Sequence, residues 1–141
     1  LGDLLHAPPV TGEAWLEAFA HWRQRHASLA VTVIAGNHDR PGREAVPGVV
    51  WRDEAQARGP LILAHAPEPD PRGYVLGGHL HPVMALRSGG DRLRFPIFWL
   101  RASTAVLPAF GAFTGGDGVT VGPGEQAFAA GERSVLACPS P

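Results

Sequence analysis

The sequence predicts an α/β fold with a β-rich C-terminal half, and three features indicate it. Apolar residues recur at helical spacing within residues 12–27. Residues 29–35 form a continuous apolar, β-branched run that is typical of a strand buried on both faces. From residue 83 onward, short strand-like runs alternate with Gly, Pro and Asp turns, and no helix is predicted. We therefore expect one domain, residues 1–141, built of packed layers.

The helix is predicted from Trp15, Leu16, Phe19 and Trp22, which share one face, with Thr11 as its N-terminal cap. Its histidines, His21 and His26, are interpreted as surface residues. Further strands are predicted at residues 49–51, 61–64, 74–76, 83–87, 93–100, 105–107, 119–121 and 134–138.

Composition limits the kinds of function that the chain can have. The 141 residues, 45% hydrophobic and 18% charged, suffice for a globular core. The net charge of −1 provides no general attraction for nucleic acid or membrane. All 12 basic residues are arginine, which excludes P-loop and Schiff-base lysine chemistry. One cysteine, Cys138, and the lack of a long apolar run predict a cytoplasmic protein without membrane contact.

The chain opens on Leu1 rather than Met, and nothing near it resembles a signal peptide. Gly2 and Asp3 are typical of the turn that follows a strand, but no strand precedes them in the sequence. We therefore expect a protein truncated at its N-terminus.

Polar side chains follow several strands, or the remnant of one, at the points where the strands end. Because functional groups of open α/β sheets collect at the carboxyl ends of strands, we expect these side chains to converge at one edge. Imidazole, carboxylate and amide ligands together suit Mn, Fe or Zn, whereas Mg or Ca would use oxygen ligands alone. The residues are Asp3, Asn37, His38, His65, His79 and His81.

His79 and His81 are separated by one residue, so on an extended segment their side chains point to opposite sides. They are therefore predicted to serve two different metal ions. Two ions about 3.5–4 Å apart, bridged by a carboxylate, generate hydroxide at neutral pH and hold the oxygens of a phosphoryl displacement. Gly36, Gly77 and Gly78 would allow sharp turns beside the ions. Taken singly, Gly36-Asn37-His38-Asp39 is equally compatible with a functional site and with a turn held by an Asx hydrogen bond. Gly78-His79-Leu80-His81 is equally compatible with a functional site and with structural histidines.

The ordered set of motifs resembles the calcineurin-like metallophosphoesterase superfamily. That set is Gly2-Asp3, Gly36-Asn37-His38-Asp39, His65 and Gly78-His79-Leu80-His81. More narrowly, residues 2–7, 63–67 and 107–116 look like those of the bacterial DNA ligase-associated metallophosphoesterases.

The resemblance implies a role for each residue of the motifs. Asp3 would bridge two divalent ions, manganese being expected, with iron and zinc as alternatives. One ion would be bound by Asn37, His65 and His79 in addition to Asp3. The other would be bound by His81 and Asp3. His38 would act as general acid on the leaving oxygen, with Asp39 holding its imidazole. His6 and the arginines Arg40 and Arg43 would contact substrate, although a solvated surface role is open for all three.

The chain departs from the superfamily pattern because the first Asp-x-His motif is absent. The implied fold is a four-layer αββα sandwich lacking its first strand and helix, with an exposed sheet edge. Asp3 and His81 alone would hold the second ion weakly. We therefore expect the isolated chain to fold poorly or to keep one metal and little activity.

Three interpretations follow. The first is metal-dependent hydrolysis of phosphate esters, on nucleic acid, nucleotides or smaller esters. The alternative is a non-catalytic phosphatase-like module that binds DNA or DNA-repair proteins such as a DNA ligase. The third is an α/β domain whose histidines are core or surface residues without a function.

Overall fold

The computed structural model describes residues 1–10, 12–88, 90–111 and 114–139, except the side chains of residues 87, 88 and 91. These residues form an α/β fold that is mostly sheet, which confirms the predicted class. They contain one α-helix, α1 (Ala14–Arg25), a 3₁₀ turn (Arg43–Ala45) and eleven strands. The strands are β1 (Thr32–Ile34), β2 (Val50–Arg52), β3 (Gln56–Arg58), β4 (Leu61–Leu63), β5 (Tyr74–Gly77), β6 (Pro82–Ser88), β7 (Asp91–Leu100), β8 (Thr104–Val106), β9 (Asp117–Gly118), β10 (Gln126–Ala130) and β11 (Val135–Ala137).

Helix α1 lies where the apolar spacing predicts it. It begins after Glu13, whose side chain accepts a hydrogen bond from the Trp15 indole at 2.5 Å and caps no backbone group. The proposed cap Thr11 lies outside the described residues. Every residue of α1 stays at least partly accessible, and none of the helices in the described ranges is long and apolar enough to cross a membrane.

Strand β1 is less buried than the sequence predicts. It pairs with β2 in a two-stranded parallel sheet, and its Thr32 is exposed whereas Ile34 is buried. The prediction of a strand buried on both faces is therefore wrong for this chain. Within the described residues β1 has a neighbour on one side only, so its apolar side chains are incompletely covered.

The larger sheet is mixed, and its order is β11-β10-β7-β8-β5-β4-β3. Strands β4, β5 and β8 run parallel, so their carboxyl ends lie at one edge. Strand β6 forms a long hairpin with β7, and β9 runs parallel to β6 on its other side. This arrangement brings the segments after β4 and β5 together, beside the start of β6.

The predicted strands at residues 49–51, 61–64, 74–76, 83–87, 93–100, 105–107 and 134–138 all appear with shifts of a few residues. Residues 119–121 form no strand, although Val121 is buried in the core with Ile97 and Cys138. The strands β3, β9 and β10 are absent from the prediction. β3 and β10 contain alanine in place of β-branched residues, so their local propensity is weak and pairing with β4 and β7 determines them.

Glu125 anchors the turn before β10. Its Oε2 accepts hydrogen bonds from the Gly122 N–H at 2.9 Å and the Trp99 Nε1–H at 2.8 Å, while Arg101 lies 3.6 Å from Oε1. The Gly122 and Trp99 hydrogen bonds, with the positive charge of Arg101, lower the pKa of Glu125 below its usual 4.5. Because the folded-state pKa is lowered, this stabilisation is present above the unfolded pKa and disappears as the pH falls through the folded pKa.

We expect Glu125→Gln to lower the free energy of unfolding at neutral pH, because the amide loses the charge-assisted part of these bonds. Wild type and variant should converge in stability as the pH falls below the pKa of Glu125. Urea unfolding at a series of pH values measures the difference. A difference that is independent of pH would show that the charge contributes nothing.

Candidate metal centre

The predicted convergence of polar side chains at strand ends is present in the structure for three strands. Asn37 follows β1, His65 follows β4 and His79 follows β5. The parallel pairing of β4 with β5 continues past the strands, because the Gly78 N–H donates to the His65 carbonyl at 2.9 Å. The segments carrying His65 and His79 are therefore held directly beside each other.

Asp3, His65 and His79 form the group of potential metal ligands in the described part of the chain. One ligand atom from each lies within 4.8 Å of the others. The Nε2 of His65 lies 3.4 Å from Asp3 Oδ2 and 3.1 Å from the amide oxygen of Asn37. The rings of His65 and His79 meet edge to face, with centroids 4.7 Å apart. Four of the predicted ligands thus share one small volume.

The hydrogen bond at Nδ1 of His65 indicates which ring nitrogen carries the proton in the neutral imidazole. Nδ1 lies 3.0 Å from the Leu1 carbonyl, which only accepts, so Nδ1 carries the proton. In the neutral ring Nε2 then presents a lone pair to the oxygens of Asn37 and Asp3. Three acceptors that face one another repel unless a cation lies between them, and a carbonyl partner on the second nitrogen is usual for a metal-bound histidine. The donor set therefore fits a divalent metal.

Glycine at position 36 permits the turn after β1 to approach the segment around Asp3 closely. A Cβ there would lie 2.6 Å from the backbone nitrogen of Asp3 and 2.7 Å from its Cγ. Gly2, at φ 87°, faces the His65 ring in the same way, since its Cβ would lie 2.8 Å from Cγ of that ring. The absence of two side chains thus allows Asp3 and His65 to reach the same point.

We expect Gly36→Ala to displace Asp3 and weaken divalent-metal affinity at least tenfold, roughly the effect of losing a partner that orients a ligand. Calorimetric titration with Mn²⁺ measures the affinity. Gly115→Ala is the control, because a Cβ at Gly115 meets nothing within 4 Å. Equal metal affinity in both variants would show that the close contact between Gly36 and Asp3 does not affect metal binding.

Asp39 has a different role from the one that the sequence suggests. It is fully buried, and its Oδ2 accepts the N–H groups of Asp3 at 2.7 Å and Gly36 at 2.8 Å. Its Oδ1 accepts the N–H of Leu5 at 2.8 Å. The expectation that Asp39 holds the imidazole of His38 is therefore wrong. The carboxylate instead ties the segment around Asp3 to the turn after β1.

His38 is exposed beside the cluster, and its N–H donates to Asp3 Oδ1 at 3.0 Å. The ring of His6 stacks on that of His38, with centroids 5.5 Å apart and an interplanar angle of 25°. His6 therefore lies beside the candidate acid, and its contact with substrate stays a prediction. Arg40 is exposed next to Asp39, whereas Arg43 binds the carboxylate of Asp53 at 2.5 Å and serves as a surface ion pair.

The backbone at both histidines of the final motif is not extended. His79 has φ 63° and His81 has φ 44°, and Asp3 likewise has φ 51°. The simple alternation expected of an extended segment is therefore wrong. His79 joins the ligand group and His81 lies outside it. Left-handed conformations at residues other than glycine cost about 1–3 kcal/mol each and concentrate at functional sites.

Two further residues are hydrogen-bonded to the backbone on either side of His79. The Leu107 N–H donates to the Gly77 carbonyl at 2.8 Å, and the Asp117 N–H donates to the His81 carbonyl at 3.1 Å. Arg94 of β7 donates to the carbonyl of Gly116, the residue before Asp117, at 2.6 Å. The alternation of Arg92 and Arg94 with apolar residues in β7 was the available signal for an arginine-bearing face.

Comparison with known proteins relates the chain to a nuclease of known structure. No protein-family model and no curated protein matches the chain. Among solved structures, the crystal structure of Pseudomonas putida nuclease MPE matches with a TM-score of 0.84 and 38% sequence identity. The match covers 98% of this chain and 68% of that chain. With this identity over most of both chains, the chain belongs to the family of Pseudomonas putida nuclease MPE.

Proposed function

We propose that the protein hydrolyses phosphodiester bonds of nucleic acid at a divalent-metal centre formed by Asp3, Asn37, His65 and His79. The observation that carries the proposal is the position of His65 Nε2, which lies 3.4 Å from Asp3 Oδ2 and 3.1 Å from Asn37 Oδ1. The family relative is a nuclease, which supports nucleic acid as the substrate class.

The donor set of two imidazoles, one carboxylate and one amide oxygen suits Mn, Fe or Zn, and manganese is the ion that we expect. Bound divalent ions would lower the pKa of a coordinated water and neutralise the charge of the phosphate oxygens. A second ion, shared by Asp3 and His81, belongs to the proposal through the resemblance to calcineurin-like metallophosphoesterases.

The residues of the chain have separable tasks in this proposal. Asp3 contributes negative charge on Oδ2 while its Oδ1 holds the backbone of His38. The exposed imidazole of His38 donates a proton to the leaving oxygen, as a general acid does. His6, stacked on that ring, restricts its orientation and covers one of its faces. His79, in a left-handed conformation, completes the ligand set from the carboxyl end of the neighbouring strand β5.

Hydrolysis of bis(p-nitrophenyl) phosphate and of a DNA oligonucleotide with added Mn²⁺ tests the proposal. Activity should vanish with a chelator, and His79→Ala should lower kcat/KM at least about hundredfold, as expected for loss of a ligand. His21→Ala, on the exposed face of α1, is the matched control and should retain activity. Activity that persists in the chelator would contradict the proposal.

A binding module without catalysis is the second candidate, because three of the ligands are equally able to hold a structural metal. It predicts Mn²⁺ binding and DNA binding without turnover of either substrate. An association with DNA ligase or other repair proteins follows from the subgroup resemblance and would be tested by co-purification with a ligase.

A further inference from the structure

A groove of about 670 Å³ lies outside the metal cluster, on the hairpin of β6 and β7. Its walls are residues 83–85 of β6, the arginines Arg92 and Arg94 of β7, and residues 118–120 after β9. Met84 lines the groove and also contacts the core cluster around Ile97, whereas Phe95, which alternates with Arg94 along β7, packs against that cluster and is not part of the lining. The side of β7 that carries Arg92 and Arg94 therefore faces the groove, and the side that carries Phe95 faces the core.

The groove is positively charged. Arg92 and Arg94 are both exposed, and neither belongs to the ion pairs seen within the described side chains, which use Arg43, Arg72, Arg101 and His65. Backbone register sets Arg94 opposite Ala85, so no carboxylate stands directly across from it. Two exposed guanidinium groups on the same face of β7 favour an anionic partner.

Arg94 is also fixed in direction. Its Nη2 donates to the Gly116 carbonyl at 2.6 Å, which leaves its other guanidinium N–H groups for a partner. A guanidinium held in this way loses less side-chain entropy when it binds phosphate oxygens. Ala85, which pairs with Arg94 on the neighbouring strand, has a small side chain that leaves the groove open.

The chain passes from the candidate ligand His79 through His81 into the groove strand β6. Strand β6 starts directly after His81, and the register pairs Pro82 with Asp117 and Val83 with Gly118. Ala85, opposite Arg94, lies four residues beyond His81, which is about 13 Å along an extended strand. That distance corresponds to several nucleotides of a polynucleotide strand, so a phosphate in the groove would differ from the one being cleaved.

We propose that this arginine groove binds the phosphate backbone of the nucleic-acid substrate at a position several nucleotides from the scissile bond. The inference rests on the proposed function for the identity of the anion. It assigns the contact to Arg92 and Arg94, whereas the net charge of −1 gives the rest of the chain no general attraction for a polyanion. Such contacts fix the register of the strand and carry no base specificity.

The test is binding of a fluorescein-labelled DNA oligonucleotide, followed by anisotropy in EDTA at several salt concentrations, so that it needs no catalysis. We expect R92Q/R94Q to weaken binding about tenfold or more at low salt and to reduce the slope of log K against log salt by about two. The control R58Q/R133Q removes the same charge from exposed positions elsewhere and should bind as the wild type does.

A second variant, A85E, leaves both arginines in the chain and places a carboxylate opposite Arg94, and it should weaken binding to a similar extent. Circular dichroism verifies that each variant is folded. Equal weakening by R92Q/R94Q and R58Q/R133Q, or an unchanged salt slope in A85E and R92Q/R94Q, would overturn the proposal. If the wild type binds DNA through the groove but hydrolyses neither DNA nor bis(p-nitrophenyl) phosphate with Mn²⁺, the proposed function fails and the groove stands.

Discussion

Replacing Asp3 with asparagine is expected to lower kcat/KM for phosphodiester hydrolysis at least about hundredfold, because a metal ligand loses its charge. The change is nearly isosteric. Asparagine keeps an Oδ1 that can accept the His38 N–H, which Asp3 accepts at 3.0 Å. The left-handed backbone at Asp3, φ 51°, also tolerates asparagine well. Asp3→Asn should therefore lower metal affinity and turnover without changing the stability of the fold.

Two measurements distinguish a metal-ligand role from a structural one for Asp3. Mn²⁺ affinity and the urea midpoint are determined for Asp3→Asn and for the control Asp53→Asn, whose carboxylate is exposed and pairs with Arg43. We expect the first variant to lose affinity with an unchanged midpoint and the control to change neither measurably. If Asp3→Asn keeps full metal affinity and activity, the assignment of Asp3 as a ligand is wrong.

Replacing Asp39 with alanine is expected to have the largest effect on stability. The carboxylate is fully buried and accepts N–H groups from Asp3, Leu5 and Gly36, so the variant leaves three donors without their acceptor. An unsatisfied buried donor costs about 1–3 kcal/mol, which predicts a loss of at least about 3 kcal/mol. For a chain of this size the melting temperature should fall by roughly 10 °C.

The same substitution should release the segment around Asp3 from the turn at Gly36 and lower metal affinity indirectly. Asp53→Ala is the matched control, since an exposed ion pair contributes less than about 1 kcal/mol. Urea unfolding of the two variants gives the comparison. Similar free energies of unfolding for both would show that Asp39 does not anchor this segment.

The proximity of the candidate ligands is predictable from the sequence because their placement follows a local rule. His65 and His79 stand directly after apolar runs that form β4 and β5, and the parallel pairing of those strands brings the two rings to 4.7 Å. Asn37 follows β1 in the same way. The helix and most strands are recognisable for the same reason, since each is a continuous periodic segment.

The features that the sequence predicts wrongly depend on contacts between residues that are distant in the chain. Asp39 is adjacent to His38 in sequence, but its carboxylate points away to backbone N–H groups more than thirty positions earlier, at Asp3 and Leu5. Sequence spacing does not reveal such a partner. The left-handed backbone of His79 and His81 is equally hidden, because histidine adopts a positive φ more often than most residues but still does so only in a small minority of cases.

Anomalous diffraction at the manganese edge, from crystals grown with Mn²⁺, tests the central claim most directly. The account predicts a peak within coordinating distance of His65 Nε2, Asn37 Oδ1, Asp3 Oδ2 and the imidazole of His79. Crystals of Asp3→Asn should show a weaker peak at the same place. An absence of anomalous signal there in the wild type, with Mn²⁺ bound instead at the surface histidines of α1, would contradict the account.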